Sequence, residues 1–336
     1  MKKLFLYFLF YLCTYTPLGA QAKKYVFYAD KMGSPFTTTI ISTDSAKAAL
    51  SYQKGLLLVD SLIHIISDYD SSSELSKLNA QAGLQAMPIS AFLERILVEG
   101  KKGYTQTKGQ YSIAIGPLSL LWRQARKNNI LPSPQAINKA KEHISCDDLF
   151  IDTIMHTAFL RYSGMRLDLG SLGKGYIAQS LVDYFKQEGF TNCMVDAGGK
   201  IVASKPKAEN TPWHIGIQLP RKKIKIASDI ISIQNGAIAS SGDAFQYLQS
   251  KGHRYSHIIN PITGYGITSP KNVTAIANNG LLADWLSTAC SLLPVPEALK
   301  LADRNGAQVY IAILKGGVVH IYKTKGFDAY FKNKMP

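Results

Sequence analysis

The sequence predicts an α+β fold, built as a single large mixed α/β unit with two lobes. Three observations lead there. Strand-like and helix-like hydrophobic patterns alternate along the whole chain, which favours one mixed unit over separate all-α and all-β domains. The 336 residues would allow two domains, yet no low-complexity linker or internal repeat divides them. The turns between segments carry Gly, Pro, Asn and Ser where tight connections need them.

The elements follow in chain order. Residues 25–28 and 36–41 read as strands joined through Met32-Gly33-Ser34-Pro35. Asp44 or Ser45 caps a long helix whose apolar residues include Ala49, Leu50, Leu57, Leu58 and Ile65. Ser90 caps a second helix that runs through Val98. Ser133-Pro134 opens a third, with a cap followed by proline at the first helical position. Residues 150–154 and 158–162 suggest two strands, and residues 172–187 a helix closed by Gly189. Residues 193–195, 213–219 and 230–233 are further strands; Asn235-Gly236 is a tight turn before Ala237-Ile238-Ala239. Residues 309–314 and 318–322 form a C-terminal hairpin around Lys315-Gly316-Gly317.

The N-terminus has a different character. Lys2-Lys3, an apolar run from Leu4 to Leu12 and the small-x-small end Ala20-Gln21-Ala22 describe a signal peptide over residues 1–22. The run is too short to span a bilayer comfortably. Leu12 before Cys13 argues against lipid attachment there. The expectation is a periplasmic or exported protein, associated at most with the inner membrane, whose folded domain covers residues 23–336.

Cys146, Cys193 and Cys290 remain in that domain, an odd set that excludes a disulfide framework and allows at most one bridge. Cys193 lies in an apolar strand and Cys290 on an apolar helix, so both are expected to be buried, inert thiols. No Cys-x-x-Cys or His/Cys cluster points to zinc. The net charge of +15 has one dense run, Arg221-Lys222-Lys223-Ile224-Lys225, which reads as a solvated loop or hairpin after Pro220. Export and the lack of a nucleic-acid motif argue for an anionic ligand or an acidic membrane partner, and against nucleic acid.

Five segments are candidates for chemistry. Leu167-Asp168-Leu169-Gly170-Ser171-Leu172-Gly173-Lys174-Gly175-Tyr176 leads from a strand into a helix. Its glycines let a backbone approach a ligand, the helix start offers amides to an anion, and Lys174 adds a cation; a pyrophosphate would suit it. The Walker A spacing is absent. Ser256-His257-Ile258-Ile259-Asn260-Pro261-Ile262-Thr263-Gly264 places an imidazole just before a turn. Asp284 and Thr288 are four apart on one helix face, where two hard oxygens suit Mg²⁺ completed by waters and a substrate phosphate. Asp196-Ala197-Gly198-Gly199 and Ser240-Ser241-Gly242-Asp243 are glycine turns; the first reads best as a tight turn alone, and the second could place hydroxyls and amides near a phosphate. Each signal taken singly has an ordinary structural reading, such as a glycine-rich strand-to-helix loop, a satisfied histidine or a polar helix stripe.

Their order adds information. Met32-Gly33-Ser34, Tyr69 with residues 73–79, Gly109-Gln110-Tyr111-Ser112, Gly116-Pro117-Leu118 and Trp122 precede them. The succession, from about Met32 to Leu293, resembles the FAD:protein FMN transferases, the ApbE family of periplasmic flavin-transfer enzymes. The resemblance implies an FAD cleft between the two lobes. It also implies Mg²⁺-dependent cleavage of FAD, release of AMP and attachment of FMN to a threonine hydroxyl of an acceptor protein. The implied acceptor is a membrane redox complex or a periplasmic flavoprotein. By position, Met32, Tyr69, Gln110, Tyr111, Ser112, Asp168, Lys174 and Ile259 would line the FAD site. Ser171, Asp284, Ser287 and Thr288 would sit at the metal, and His257 beside the reacting phosphate. His257 and Asp284 are the expected catalytic residues. Tyr69 and Tyr111 are suited to flank flat rings.

Ser112, Asn260, Gln179, Lys200 and Ser287 depart from the family pattern, where acidic residues are common at these positions; the site is less acidic than its relatives'. Two other functions fit the same residues: hydrolysis of FAD to FMN and AMP with water as nucleophile, and a periplasmic FAD-binding protein without turnover.

Overall fold

The computed structural model describes residues 21–205, 211–217, 229–242, 247–250 and 252–331. The signal-peptide segment up to residue 20 and the basic run 221–225 lie outside the described residues. No helix among the described residues is long and apolar enough to cross a membrane.

An eight-stranded sheet organises the molecule. Its strands are Lys23–Lys31, Ser34–Ser42, Cys193–Ala197, Lys200–Ala203, Gly236–Ser241, Lys271–Ala277, Gln308–Lys315 and Val318–Lys323, and their spatial order is their chain order. Every neighbouring pair is antiparallel. Side chains alternate between the two faces, as the pleat requires. Val202, Ala237, Ala239, Val273, Ala275, Val309 and Ile311 join the main core. Ile201, Ala203, Ile238, Ile276, Tyr310 and Ala312 form a second core with Trp213, Ile217, Ile231, Ile233 and Phe327. That second face is covered by the strand pair Trp213–Ile217 and Asp229–Ile233.

The first face is covered by helices Ser45–Ile66, Gly173–Gln187 and Gly280–Leu292. The caps expected from the sequence form. Asp44 accepts from the Lys47 amide at 2.8 Å, Ser90 from Leu93 at 3.2 Å and Ser133 from Ala136 at 3.2 Å. The helix after Ser90 runs on to Gln106, well past Val98. Gly100 and Gly103, which discourage a helix in isolation, are close-packing positions here: a Cβ on Gly103 would come within 3.2 Å of the Tyr111 and Trp285 rings. Helices Glu74–Ala80, Gly116–Asn128 and Val295–Arg304, and strand Lys271–Ala277, add to the elements read from the sequence. The strands expected at 150–154 and 158–162 appear as Leu149–Asp152 and Thr157–Leu160; of 213–219, residues 213–217 are a strand and the rest lie outside the described residues.

A third cluster packs Leu118, Trp122, Ala125 and Ile137 against Leu248 and Ile259. The Trp122 indole donates to the Gly264 carbonyl at 2.8 Å, tying the His257 loop to helix Gly116–Asn128. Cys146, Cys193 and Cys290 are free and buried, and burial pushes the last two thiols up to about 11 and about 12.

Lys271 closes the end of helix Gly280–Leu292, donating to the carbonyls of Cys290 at 2.6 Å and Leu293 at 2.7 Å. Burial lowers its ammonium from 10.5 to about 8. The unfolded chain therefore holds this proton more tightly than the folded one between those values. The contribution of Lys271 to stability is lowest below about 8 and rises with pH through the window up to 10.5. A lysine side-chain NMR titration should show a resonance moving near pH 8 that Lys271→Met removes; a Lys271 resonance titrating at 10.5 would contradict this.

Candidate functional site

Helices Gly173–Gln187 and Gly280–Leu292 cross at two glycines. A Cβ on Gly175 would lie 2.2 Å from the Gly280 carbonyl oxygen, and one on Gly280 would lie 2.1 Å from that of Gly175. Only hydrogen in both places lets the backbones approach this closely. The approach brings Asp284, wholly buried, to the first turn of the other helix, where its Oδ2 accepts from the Gly175 amide at 2.8 Å. Leu172 provides no side-chain cap, so Asp284 caps that helix from outside.

Lys200 meets the other carboxylate oxygen. Its Nζ lies 3.3 Å from Asp284 Oδ1 and also donates to the Ser240 carbonyl and, at 3.4 Å, to Ser241 Oγ. The pair is within ion-pair range, but Oδ1 has no hydrogen bond of good geometry. Burial pushes the Asp284 carboxyl up, opposed by the charges of Lys200 and Lys174 and by the Gly175 amide. Burial likewise pushes the Lys200 ammonium down, opposed by Asp284. The turn that delivers Lys200 is Gly198-Gly199, with φ of +63° and +83°, as a two-residue hairpin with the strands' twist requires. The Gly199 amide donates to Asp196 Oδ1 at 2.7 Å.

Hydroxyls continue the network. Ser241 Oγ lies 2.7 Å from Ser287 Oγ and 3.3 Å from Thr288 Oγ1, and Ser287 donates to the Asp284 carbonyl at 2.8 Å. Ser171 Oγ is 2.9 Å from the Tyr111 hydroxyl. The Tyr111 ring is 1% exposed and tilted against Trp285, so it reaches the site through its hydroxyl while its faces belong to the core. Burial raises that hydroxyl well above the ordinary tyrosine value, opposed by its bond to Ser171.

A second group lies around Asp168. Arg123 bridges Asp68 at 2.6 Å and Asp168 at 2.8 Å, and its guanidinium sits 4.2 Å from the ring centroid of Tyr69. Asp168 also accepts from the Gly170 amide at 2.8 Å. Tyr69 is 80% exposed, so this stack holds an aromatic ring at the surface. Burial and the charge of Asp168 raise the Asp68 carboxyl, opposed by Arg123.

The remaining expected residues are placed as follows. Met32 occupies the left-handed position of its turn, φ +52°, and packs at the edge of the main core. His257 is exposed and Ile259 buried, both in the loop that Trp122 anchors. Gln110 contacts Glu297 at 3.4 Å. Ser112 is 5% exposed and donates to the Ile144 carbonyl at 2.7 Å, a bond that holds the loop together. Sequence reasoning missed Arg123 and Asp68 as members of these groups; Ser241 belongs to the Ser240–Asp243 segment expected to bring hydroxyls to the site. Arg123 lies one residue after Trp122 in an unassigned helix, and nothing in its local sequence marks it.

Among the described residues no three His, Cys, Asp or Glu side chains gather as a metal cluster. The donor set does fit one hard cation that a phosphate helps to hold: Asp284 Oδ1 is a buried carboxylate oxygen without an aligned donor, and the Thr288 and Ser171 hydroxyls are only half-buried. Ser287 is the least available ligand, since its hydroxyl is committed to Ser241 and the Asp284 carbonyl.

Known proteins share this architecture. The ApbE family model matches residues 32–311. A curated FAD:protein FMN transferase from Klebsiella pneumoniae is 28% identical over 90% of this chain and 87% of its own length. One from Haemophilus influenzae is 30% identical over 74% of each chain. The crystal structure of the Pseudomonas stutzeri flavinyl transferase ApbE, apo form, superimposes with a TM-score of 0.81 at 26% identity, covering 93% of this chain and 98% of that one.

Proposed function

This chain belongs to the ApbE family, and on that premise we propose that it transfers FMN from FAD to a threonine hydroxyl of an acceptor protein and releases AMP. The observation that carries the proposal is the buried Asp284 carboxylate held at a helix start against Lys200, with the charge of Lys174 also acting on it, beside the glycine loop 170–175. Flavin transfer is the activity that its curated relatives are named for.

In the proposed reaction the threonine Oγ attacks the FMN phosphorus of FAD. A new P–O bond forms, the bond from that phosphorus to the bridging oxygen breaks, and AMP leaves with that oxygen. His257 takes the hydroxyl proton and passes it to solvent or to the departing phosphate. Lys174 and the glycine loop before it hold the pyrophosphate and stabilise charge that grows on the bridging oxygen. Asp168, fixed by Arg123, and the Arg123-stacked Tyr69 orient the flavin or adenine end of the substrate. Asp284 Oδ1 and the Thr288 and Ser171 hydroxyls would hold a Mg²⁺, which when bound neutralises the pyrophosphate and orients it for attack. The signal-like residues 1–22 support action outside the cytoplasm, on a membrane redox complex or periplasmic flavoprotein.

The test is to incubate the protein with FAD, Mg²⁺ and a threonine-bearing acceptor domain, then weigh the acceptor by mass spectrometry. A gain equal to one FMN adduct, with one AMP released per adduct, is expected. An unchanged acceptor mass would overturn the transfer reading, and free FMN in its place would identify a hydrolase.

A further inference from the structure

We infer that Lys200 is a tethered cation of this site: its ammonium sits among Asp284 Oδ1, the Ser240 carbonyl and Ser241 Oγ, shares Oδ1 with the one divalent ion proposed there, and fills the position that a second cation would otherwise take. The inference rests on the proposed metal assignment for that one ion only.

Three features support it. The ammonium is buried, Lys200 being 7% and Asp284 0% exposed, so it has given up water and must be repaid by protein oxygens. The oxygens it finds are a carboxylate, a main-chain carbonyl and a hydroxyl, contributed by helix Gly280–Leu292 and strand Gly236–Ser241. These are hard oxygen donors of the kinds that hold a metal cation. Its position is fixed by construction as well. Lys200 begins its strand directly after the Gly198-Gly199 turn, the Ser240 amide donates to the Gly199 carbonyl at 3.2 Å, and the side chain spans the interval to the helix that carries Asp284 and Thr288.

The consequence for ion binding is electrostatic. A second free cation in this cage would share its oxygens with an ammonium that cannot leave. Asp284 and Asp196 are the acidic groups whose charges act on Lys200, and Lys174 adds a second positive charge nearby. One occupied cation position also reaches Thr288: Ser241 Oγ touches both the Lys200 ammonium and the Ser287 and Thr288 hydroxyls, so Lys200 positions the hydroxyl proposed as a metal ligand.

The experiment counts ions on the full chain without FAD or acceptor, so its outcome is independent of the transfer assay. Equilibrium dialysis against Mn²⁺ should give no more than one ion per chain for the unmutated protein. Its Tm should not change when K⁺ replaces a bulky organic cation. Lys200→Gln, which removes the larger of the two positive charges acting on Asp284, should gain a cation requirement: its Tm should rise with K⁺ or Mn²⁺, and an additional ion should appear in dialysis. A variant with the ion count and salt response of the parent would overturn the inference. So would two Mn²⁺ ions on the unmutated chain, a result that decides the matter even if Lys200→Gln fails to fold.

Discussion

Asp284→Asn should abolish most FMN transfer, by more than its loss of stability explains. The amide keeps an oxygen for the Gly175 amide, so the outside cap of helix Gly173–Gln187 survives. What disappears is the negative charge facing Lys200 and the only carboxylate in the proposed metal set. Loss of one such preorganised electrostatic group typically costs about 10²–10³-fold in rate. The decisive measurement is the initial rate of acceptor flavinylation at saturating FAD across a range of Mg²⁺. A variant with the parent rate at limiting Mg²⁺ would reject Asp284 as the metal-holding carboxylate. Asp284→Ala is a different experiment. Both substitutions strand the Lys200 ammonium in a buried place without its carboxylate, an arrangement that typically costs about 3–5 kcal/mol. Alanine in addition takes away the acceptor of the Gly175 amide, so asparagine, which keeps it, mixes less unfolding into the loss of activity.

Gly175→Ala should destabilise the protein more than any surface change. The new methyl carbon would sit 2.2 Å from the Gly280 carbonyl oxygen and 2.6 Å from the Asp284 Cβ, and neither neighbour is the end of a flexible side chain. The two helices must separate to accept it. Overpacking of this kind costs about 1–3 kcal/mol and occasionally more, and two rigid backbones in contact place it at the high end. Thermal unfolding should show a drop of several degrees in Tm. Transfer should fall further than the loss of folded protein explains, because separation pulls Asp284 away from the Gly175 amide. An unchanged Tm would show that the crossing is looser than described.

The site was half legible in the sequence, and the reasons are local. Asp284 and Thr288 declare themselves by their spacing, because a helix period is enough to place both on one face. The glycine run 170–175 declares itself because a strand-to-helix loop needs little context. Lys200 shows only as an unusual residue after two glycines, since its partner is 84 positions away in the chain and meets it only through sheet and helix packing. Tyr111 is an aromatic that chemistry would assign to a ligand, yet the packing of Gly103 and Trp285 around it claims its faces for the core. The same packing explains the underestimated helix Ala91–Gln106: its glycines read as punctuation until the neighbours that need them are known. The fold class and the capped helices were legible because both rest on short-range pattern.

The chain-ordered sheet has one exception to its local character, and it bears on how the site comes together. Each neighbouring pair from Cys193 onward can form once an excursion of modest length closes, but Ser34–Ser42 must find Cys193–Ala197 across residues 43–192. Long closures are slow because their entropy is lost before any contact compensates it. Tyr69, Tyr111, Arg123, Asp168 and Ser171 all lie inside that excursion, whereas Lys200, Ser241, His257 and Asp284 lie after it. The two halves of the site meet only through contacts of long sequence separation, such as the Gly175–Gly280 crossing, so no short stretch of this chain carries a flavin site by itself.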